Sequence, residues 1–309
     1  SLVYNQALRD IANFPKFFLD PTLFSVDPKQ AMYRPLVLVS YAMGFVFLGE
    51  SPSSFHAVNI ILHAFNVLLV YAIFRKLGNL RSGSFFAATV FAFHPLTSET
   101  IHYVCSRSDS LMALFVLTSV WCYIHWRCGN NVFWYALSLS CSIFGLMSKS
   151  VGIVCLPLII FVDLFWLRLR PTLSSVRAWL PFGSIGAIYV FSISKLFTAA
   201  VFTPVRSFDV QILSQVKAWV YYILLFIFPV NLSVEHSFIE TNSPFEFSVF
   251  LPCMLLTSLV VFTSCAAARE IKLGLGFTSI ALFPASIVPL IVIVSEHRLY
   301  LGLVGASFC

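Results

Sequence analysis

Charge is the scarcest property of this sequence. Only 10% of the 309 residues are Asp, Glu, Lys or Arg, whereas 59% are hydrophobic and the mean hydropathy is +0.89. This balance excludes a soluble domain and predicts an all-α, polytopic helical membrane protein. The net charge of +6 comes from short Lys and Arg clusters between apolar segments. Such clusters are typical of loops that set membrane topology, and they argue against a nucleic-acid-binding surface.

Regularly spaced metal ligands and internal repeats are also missing from the sequence. The eight Cys residues show no CxxC pair and no Cys/His ligand spacing, so neither a disulfide framework nor a zinc site is indicated. There is no initiator Met, Ser1 to Asp10 is not a signal peptide, and the last residues stop inside an apolar run. We therefore expect a single membrane domain over 1–309 that is a fragment of a longer protein.

Apolar segments divide the chain into a series of helices. Spans are predicted at 55–74, 110–126, 132–148, 151–167, 178–198, 247–268 and 273–294, with a shorter one at 83–93. The positive-inside rule places on the cytoplasmic side the basic clusters within 75–82, 168–177 and 269–272. Counting spans from these clusters puts both ends of 211–230 on the outer side. This segment is therefore predicted to be an interfacial or re-entrant helix, and 34–49 to be a surface helix.

The same count gathers the other unusual ionisable residues at the outer membrane face. They are Arg34, His94, Glu99, Arg107, Asp109, Lys149, Glu235, His236, Glu296, His297 and Arg298. The densest stretch is FHPLTSETIHYVCSRSD, from Phe93 to Asp109, for which a polar loop between two helices is the alternative. Ionisable groups cost at least ~2.5 kcal/mol each at the bilayer centre and usually mark a working site. A site at one lipid–water boundary suits chemistry on a lipid-linked substrate, whereas a pump carries such groups at mid-span.

Six motifs in order resemble a known family. They are YRPL (33–36), FHAVNIILHAFNVLLVY (55–71), HPLTSETIHYVCSRSD (94–109), LMSK (146–149), FPVNLSVEH (228–236) and EHRLYL (296–301). The order is similar to that in the membrane half of the transmembrane, tetratricopeptide-repeat O-mannosyltransferases and their bacterial relatives. That family belongs to the GT-C superfamily of polyprenyl-phosphate-sugar transferases, so the resemblance implies a GT-C-like fold.

The resemblance also implies an activity and a place. A sugar, mannose in the animal members, would pass from a dolichyl- or polyprenyl-phosphate carrier to Ser or Thr of a protein on the lumenal or periplasmic side. The membrane would be that of the endoplasmic reticulum in a eukaryote and the inner membrane in a bacterium.

The sequence departs from the family pattern in two places. The Asp-Asp pair of the family would come just before SLVYNQALRD, so the main acidic base is expected upstream of Ser1. Relatives commonly have Glu after the Lys of LMSK, where this chain has Ser150. This second departure leaves the role of Lys149 open.

Transfer from a lipid phosphate needs a base for the proton of the acceptor and cations or donors for the phosphate that leaves. The catalytic candidates are Glu99 and Asp109, which can orient cations, act as a base or bind a divalent metal; Asp109 can instead cap a helix. The substrate-binding candidates are Arg34, His94, Arg107, Lys149, His236, Glu296, His297 and Arg298.

Structural roles are the alternatives for several of these residues. For Arg34 and Lys149 the alternative is snorkelling at a helix end, and for His94 it is a structural hydrogen bond. His56 and His63 are seven residues apart on one helix face, and we interpret them as packing residues.

Two function classes other than a glycosyltransferase are alternatives, and a third alternative is a related glycosyltransferase. A transporter or flippase for a lipid-linked or small solute predicts internal repeats and mid-span polar groups. A structural membrane anchor leaves the outer-face cluster without an explanation. A polysaccharide polymerase or ligase would share the lipid donor, and the sequence separates it poorly from a protein-modifying enzyme.

Overall fold

The computed structural model describes residues 4–25, 32–77, 80–194, 205–241, 243, 246–266 and 268–309, and the regular elements within them are helical. The longer helices, numbered in chain order, are α1 (Pro35–Leu48), α2 (Pro52–Lys76), α3 (Arg81–Phe93), α4 (Arg107–Gly129), α5 (Val132–Ser148), α6 (Ser150–Trp166), α7 (Leu173–Ser192), α8 (Phe208–Ile227), α9 (Phe247–Cys265), α10 (Arg269–Ile287) and α11 (Leu299–Ala306). Short helical turns at Ser98–His102 and Glu296–Arg298 precede α4 and α11.

Five helices among the described residues are long and apolar enough to cross a membrane. They are α2, α4 with the turn before it, α8, α9 and α10, while α1, α5 and α6 are shorter apolar helices. This confirms the prediction of an all-α polytopic membrane protein. The predicted span 178–198 corresponds to α7, and its last residues, 195–198, lie outside the described part of the chain.

Helix α4 forms the centre of the bundle and packs against α2 and α5. Its buried side chains include Val116, Leu117 and Tyr123, none of which is exposed to solvent. Small residues permit close helix packing in lipid, where apolar surfaces gain little from meeting one another. Between α5 and α6, a Cβ added at Gly152 would lie 2.6 Å from the carbonyl carbon of Gly145. This close approach holds the tight turn that carries Lys149.

A polar clamp joins α4, α6 and α7 at the end of the bundle opposite Lys149. The fully buried carboxylate of Asp163 accepts hydrogen bonds from Tyr123 Oη at 2.6 Å and Trp179 Nε1 at 2.8 Å. It also forms an ion pair with Arg127. Because its oxygens have several donors, this buried charge is compensated. The clamp supports the fold at the predicted cytoplasmic end, and no motif in the sequence indicated it.

Helix α8 contacts the predicted outer end of the bundle, opposite the clamp, through both of its own ends. Gln211 Nε2 donates to the carbonyl of Ser286 at 3.2 Å near its start, and Phe226 O near its end accepts from His94 Nε2 at 2.9 Å. His94 and Ser286 both lie near helix ends on the predicted outer side. Since α8 also has the length and hydropathy of a span, its re-entrant or interfacial placement stays a prediction.

Candidate functional site

A buried ion pair lies at the predicted outer end of the bundle. Asp109 is in the first turn of α4, and Lys149 lies between α5 and α6. Lys149 Nζ is 2.7 Å from both carboxylate oxygens of Asp109. Because both residues are buried, snorkelling does not describe Lys149, and the carboxylate of Asp109 is committed to an ion pair rather than to a helix cap.

Two arginines accompany this ion pair. Arg34 precedes α1 and donates from Nη1 to Ser108 Oγ at 3.3 Å. Arg298 donates from Nη1 to the carbonyl of Ile293 at 2.8 Å and from Nη2 to that of Val292 at 2.7 Å. These carbonyls fix the guanidinium of Arg298.

The two arginines also act on Lys149. Burial lowers the pKa of the Lys149 ammonium, Asp109 opposes this shift, and the positive charges of Arg34 and Arg298 add to it. The charges of both arginines thus act on the ammonium that pairs with Asp109. Taken together, these three cations and one carboxylate carry positive charge in excess. We call Asp109, Lys149, Arg34 and Arg298 the cationic cluster.

Two Glu–His pairs lie beside the cationic cluster. Glu99 accepts a hydrogen bond from the backbone N of His297 at 2.8 Å, and its second oxygen lies 2.7 Å from His297 Nδ1. Glu296 Oε1 lies 3.0 Å from His236 Nε2 and accepts from the backbone N of Ser233 at 2.6 Å. The pairs join three segments that are distant in sequence, and they fix the turn that presents Arg298.

His94 and Arg107 are occupied by the protein itself. Nδ1 of His94 accepts from the backbone N of Leu96 at 3.2 Å while Nε2 bonds Phe226 O, and burial lowers the pKa of this imidazole. Arg107 is 0% exposed and donates to Asn59 Oδ1 at 2.9 Å and to the carbonyl of Phe55 at 3.0 Å. These contacts enclose the guanidinium of Arg107. The substrate-binding role predicted for this residue stays a prediction. The contacts of His94 match its structural alternative.

A buried polar network extends below the site and was only partly recognised from the sequence. Tyr300 Oη lies 2.8 Å from His63 Nδ1 and accepts from Asn66 Nδ2 at 3.1 Å. His63 Nε2 lies 3.1 Å from the carbonyl of Ala92. Asn59, His63 and Asn66 recur on one face of α2, and this polar stripe was the signal available in the sequence. The network anchors α11, just after Arg298, to α2 and α3.

An apolar groove begins next to Arg298. It has a volume of about 530 Å³ and lies among α8, α9, α10 and α11. At its outer end it is lined by Leu96, Tyr222 and Leu299, and it continues toward Gly276 and Lys272. Leu299 directly follows Arg298 in sequence, and the charge of Arg298 acts on Tyr222. Among the described residues, no group of three His, Cys, Asp or Glu side chains is arranged to hold a metal ion.

Comparison with known proteins identifies the family of the chain. Residues 34–195, just over half of the chain, match the model of the dolichyl-phosphate-mannose-protein mannosyltransferase family. The chain belongs to this family. The match begins at Arg34 and includes Asp109 and Lys149, so three members of the cationic cluster lie within it. No solved structure matches the chain.

Individual proteins that are similar to this chain are named protein O-mannosyl-transferases. A protein O-mannosyl-transferase of Caenorhabditis elegans is 25% identical over 294 residues, which is 90% of this chain and 41% of that relative. The human protein O-mannosyl-transferase TMTC2 is 29% identical over 154 residues, 47% of this chain and 18% of the relative. Mouse TMTC4 is 30% identical over 175 residues, 50% of this chain and 24% of the relative.

These findings confirm the resemblance stated from the motifs and place the chain in a glycosyltransferase family. The chain spans less than half the length of these mannosyltransferase relatives. The reaction of the whole protein is therefore taken up as a proposal.

Proposed function

We propose that the protein transfers mannose from a dolichyl- or polyprenyl-phosphate carrier to a Ser or Thr hydroxyl of a protein. The observation that supports this most directly is the cationic cluster at the head of an apolar groove. The net positive charge of the cluster attracts the phosphate group of the carrier, and the groove accommodates its hydrocarbon chain. The family model is named for dolichyl-phosphate mannose as donor and for a protein as acceptor.

The residues of the cluster have distinct roles in this proposal. Arg298 and Arg34 contact the phosphate, because planar guanidinium groups bind phosphate oxygens in pairs. Lys149 supplies a point charge, and Asp109 fixes its position through the bonds to Nζ. Positive charge held in place before the reaction stabilises the phosphate as it leaves the sugar. His236 and Glu296 hold the Arg298 turn rather than bind substrate.

The reaction is proposed for the outer membrane face, in the lumen of the endoplasmic reticulum or in the periplasm. The basic residues Arg168, Arg170 and Arg177 lie between α6 and the first turns of α7, at the end of the bundle opposite the cationic cluster. By the positive-inside rule that end is cytoplasmic. The cluster then faces the lumen or the periplasm, where secretory proteins arrive as acceptors.

A transfer assay tests the proposal on the full-length protein. Purified protein in lipid–detergent micelles receives dolichyl-phosphate mannose with a tritiated sugar and an acceptor protein. The comparison is between wild type, Arg298→Ala and the control Arg177→Ala, which removes an exposed arginine at the opposite end. We expect wild type and Arg177→Ala to label the acceptor and Arg298→Ala to lose about 100-fold in rate. Absence of labelling by wild type with any polyprenyl-linked sugar would overturn the proposal and favour transport.

A further inference from the structure

Consecutive residues of the turn before α11 belong to different Glu–His pairs. Glu296 binds His236, whereas His297 is bound by Glu99. Both carboxylates are buried, with side-chain exposures of 2% for Glu296 and 4% for Glu99. The two pairs have similar chemistry and lie side by side, yet their imidazole rings have different surroundings.

The difference is in the second ring nitrogen. His236 uses both nitrogens, since Nδ1 lies 3.0 Å from Tyr221 Oη and Nε2 bonds Glu296. His297 uses Nδ1 for Glu99, and the described residues provide no hydrogen-bond partner for its Nε2. Its side chain is 25% exposed, against 9% for His236. His297 therefore has one ring atom available to a ligand, and His236 has none.

Glu99 holds the His297 ring at two points. One carboxylate oxygen accepts from the backbone N of His297 and the other contacts Nδ1. A ring held on the Nδ1 side directs Nε2 away from the carboxylate. When the imidazole is protonated, the pair becomes an ion pair and Nε2 becomes an N–H donor. This matches the recurring arrangement in which a carboxylate orients a functional imidazole.

The position of His297 indicates which ligand its free ring nitrogen can contact. It lies in the same helical turn as Arg298, and Leu299, the residue after Arg298, lines the apolar groove. Glu99 acts electrostatically on Tyr103 and Tyr222. Cys105 and Glu235 also act on Tyr103, and Arg298 also acts on Tyr222. Since His297 and Arg298 are adjacent in one turn, a phosphate bound by Arg298 would lie beside His297 as an acceptor for its Nε2–H.

We propose that protonated His297 donates its Nε2–H to the phosphate oxygen that leaves the sugar, and that Glu99 is the positioning residue for this ring. The proposal rests on the proposed function and deepens it. The acceptor oxygen bonds to C1 of the sugar while the bond from C1 to the phosphate oxygen breaks. The electron pair of that bond goes to the phosphate, and the hydroxyl proton goes to water. His297 keeps its proton and stabilises the charge on the phosphate.

The test measures the pH dependence of kcat for transfer from dolichyl-phosphate mannose, from about pH 5.5 to about pH 8.5. The variants are His297→Gln, His297→Asn as a second neutral replacement, Glu99→Gln, and His236→Gln as the matched control. Thermal unfolding and elution on size exclusion establish which variants are folded.

We expect the wild-type kcat to fall as pH rises, because the donor must be protonated. Both His297 variants lose roughly 10- to 100-fold in kcat and lose this fall. Glu99→Gln moves the fall to lower pH, since an amide does not stabilise the imidazolium. His236→Gln keeps the shape of the wild-type profile, whatever its effect on stability.

Two results would overturn the inference alone while wild type transfers mannose. One is an unchanged kcat profile in folded His297 variants. The other is a wild-type kcat that falls toward acid pH and no longer does so in His297→Gln, which would make His297 a base. If wild type transfers no mannose at any pH, the proposed function fails and the inference fails with it.

Discussion

At the scale of single residues, the ion pair of Asp109 and Lys149 combines a structural and a functional role. Both side chains are buried, and the charges of two arginines act on the ammonium. A buried charge without its partner is far more costly than a neutral pair of similar volume. The structural role and the attraction of phosphate can therefore be separated by changing the two residues singly and together.

Asp109→Asn should lower the free energy of unfolding by about 3–5 kcal/mol, because Lys149 is left without its carboxylate. Asp109→Asn combined with Lys149→Met removes both charges and should recover most of this loss. Transfer of mannose should be lost in both variants, since Lys149 is misplaced in one and absent in the other. Thermal unfolding in detergent and the transfer assay measure the two effects. Wild-type transfer by the double variant would show that the pair serves the fold only.

At the scale of helices, the turn between α5 and α6 determines where Lys149 lies. The backbone of Gly145 approaches Gly152 so closely that the second glycine has no room for a side chain. The backbone N of Gly152 also donates to the carbonyl of Lys149 at 2.9 Å. Any side chain at residue 152 must push the turn away from α5, and Lys149 moves with it.

Gly152→Ala should therefore destabilise the protein by about 1–3 kcal/mol and raise KM for the lipid donor. Gly183→Ala is the matched control, because a Cβ there would meet Leu156 Cδ2 at 3.8 Å, an ordinary contact. The control should be neutral or slightly stabilising, as alanine favours a helix over glycine. Equal KM values for the two variants would show that the position of the turn does not affect donor binding.

At the scale of the whole molecule, the groove joins four helices that are far apart in sequence. Its lining comes from α8, α9, α10 and α11, and its mouth also includes Leu96. On α9, Leu256 lines the groove, whereas its neighbour Leu255 is 49% exposed and lies outside the lining. Adjacent residues of one helix thus provide a test of the groove with a built-in control.

Leu256→Trp should raise KM for a long polyprenyl-phosphate mannose by about 10-fold, since the indole fills the space that the hydrocarbon chain of the carrier would occupy. KM for a carrier with a short hydrocarbon chain should change little. Leu255→Trp should alter neither value. The measurement is a donor titration with carriers of two lengths. An equal effect on KM for both carriers would show that the hydrocarbon chain does not bind in this groove.

The elements of the fold followed largely from local sequence. Apolar runs and basic loops gave the helices near their observed positions, because hydropathy and the positive-inside rule depend on residues close in sequence. The same reasoning gathered Arg34, Asp109, Lys149 and Arg298 before any contact was known. It could not separate Arg107 from Arg34, since both are arginines at the start of an apolar helix.

The sequence by itself determined the class of protein, the family and the group of residues from which a site can be built. Only the tertiary structure decided which members remain available to a substrate. His297 and His236 each follow a glutamate directly in sequence, and only their packing shows that one has a free ring nitrogen. The reason is physical: Glu99 and His297 are 198 residues apart, and hydrogen bonds across such distances are set by the packing of helices rather than by local sequence.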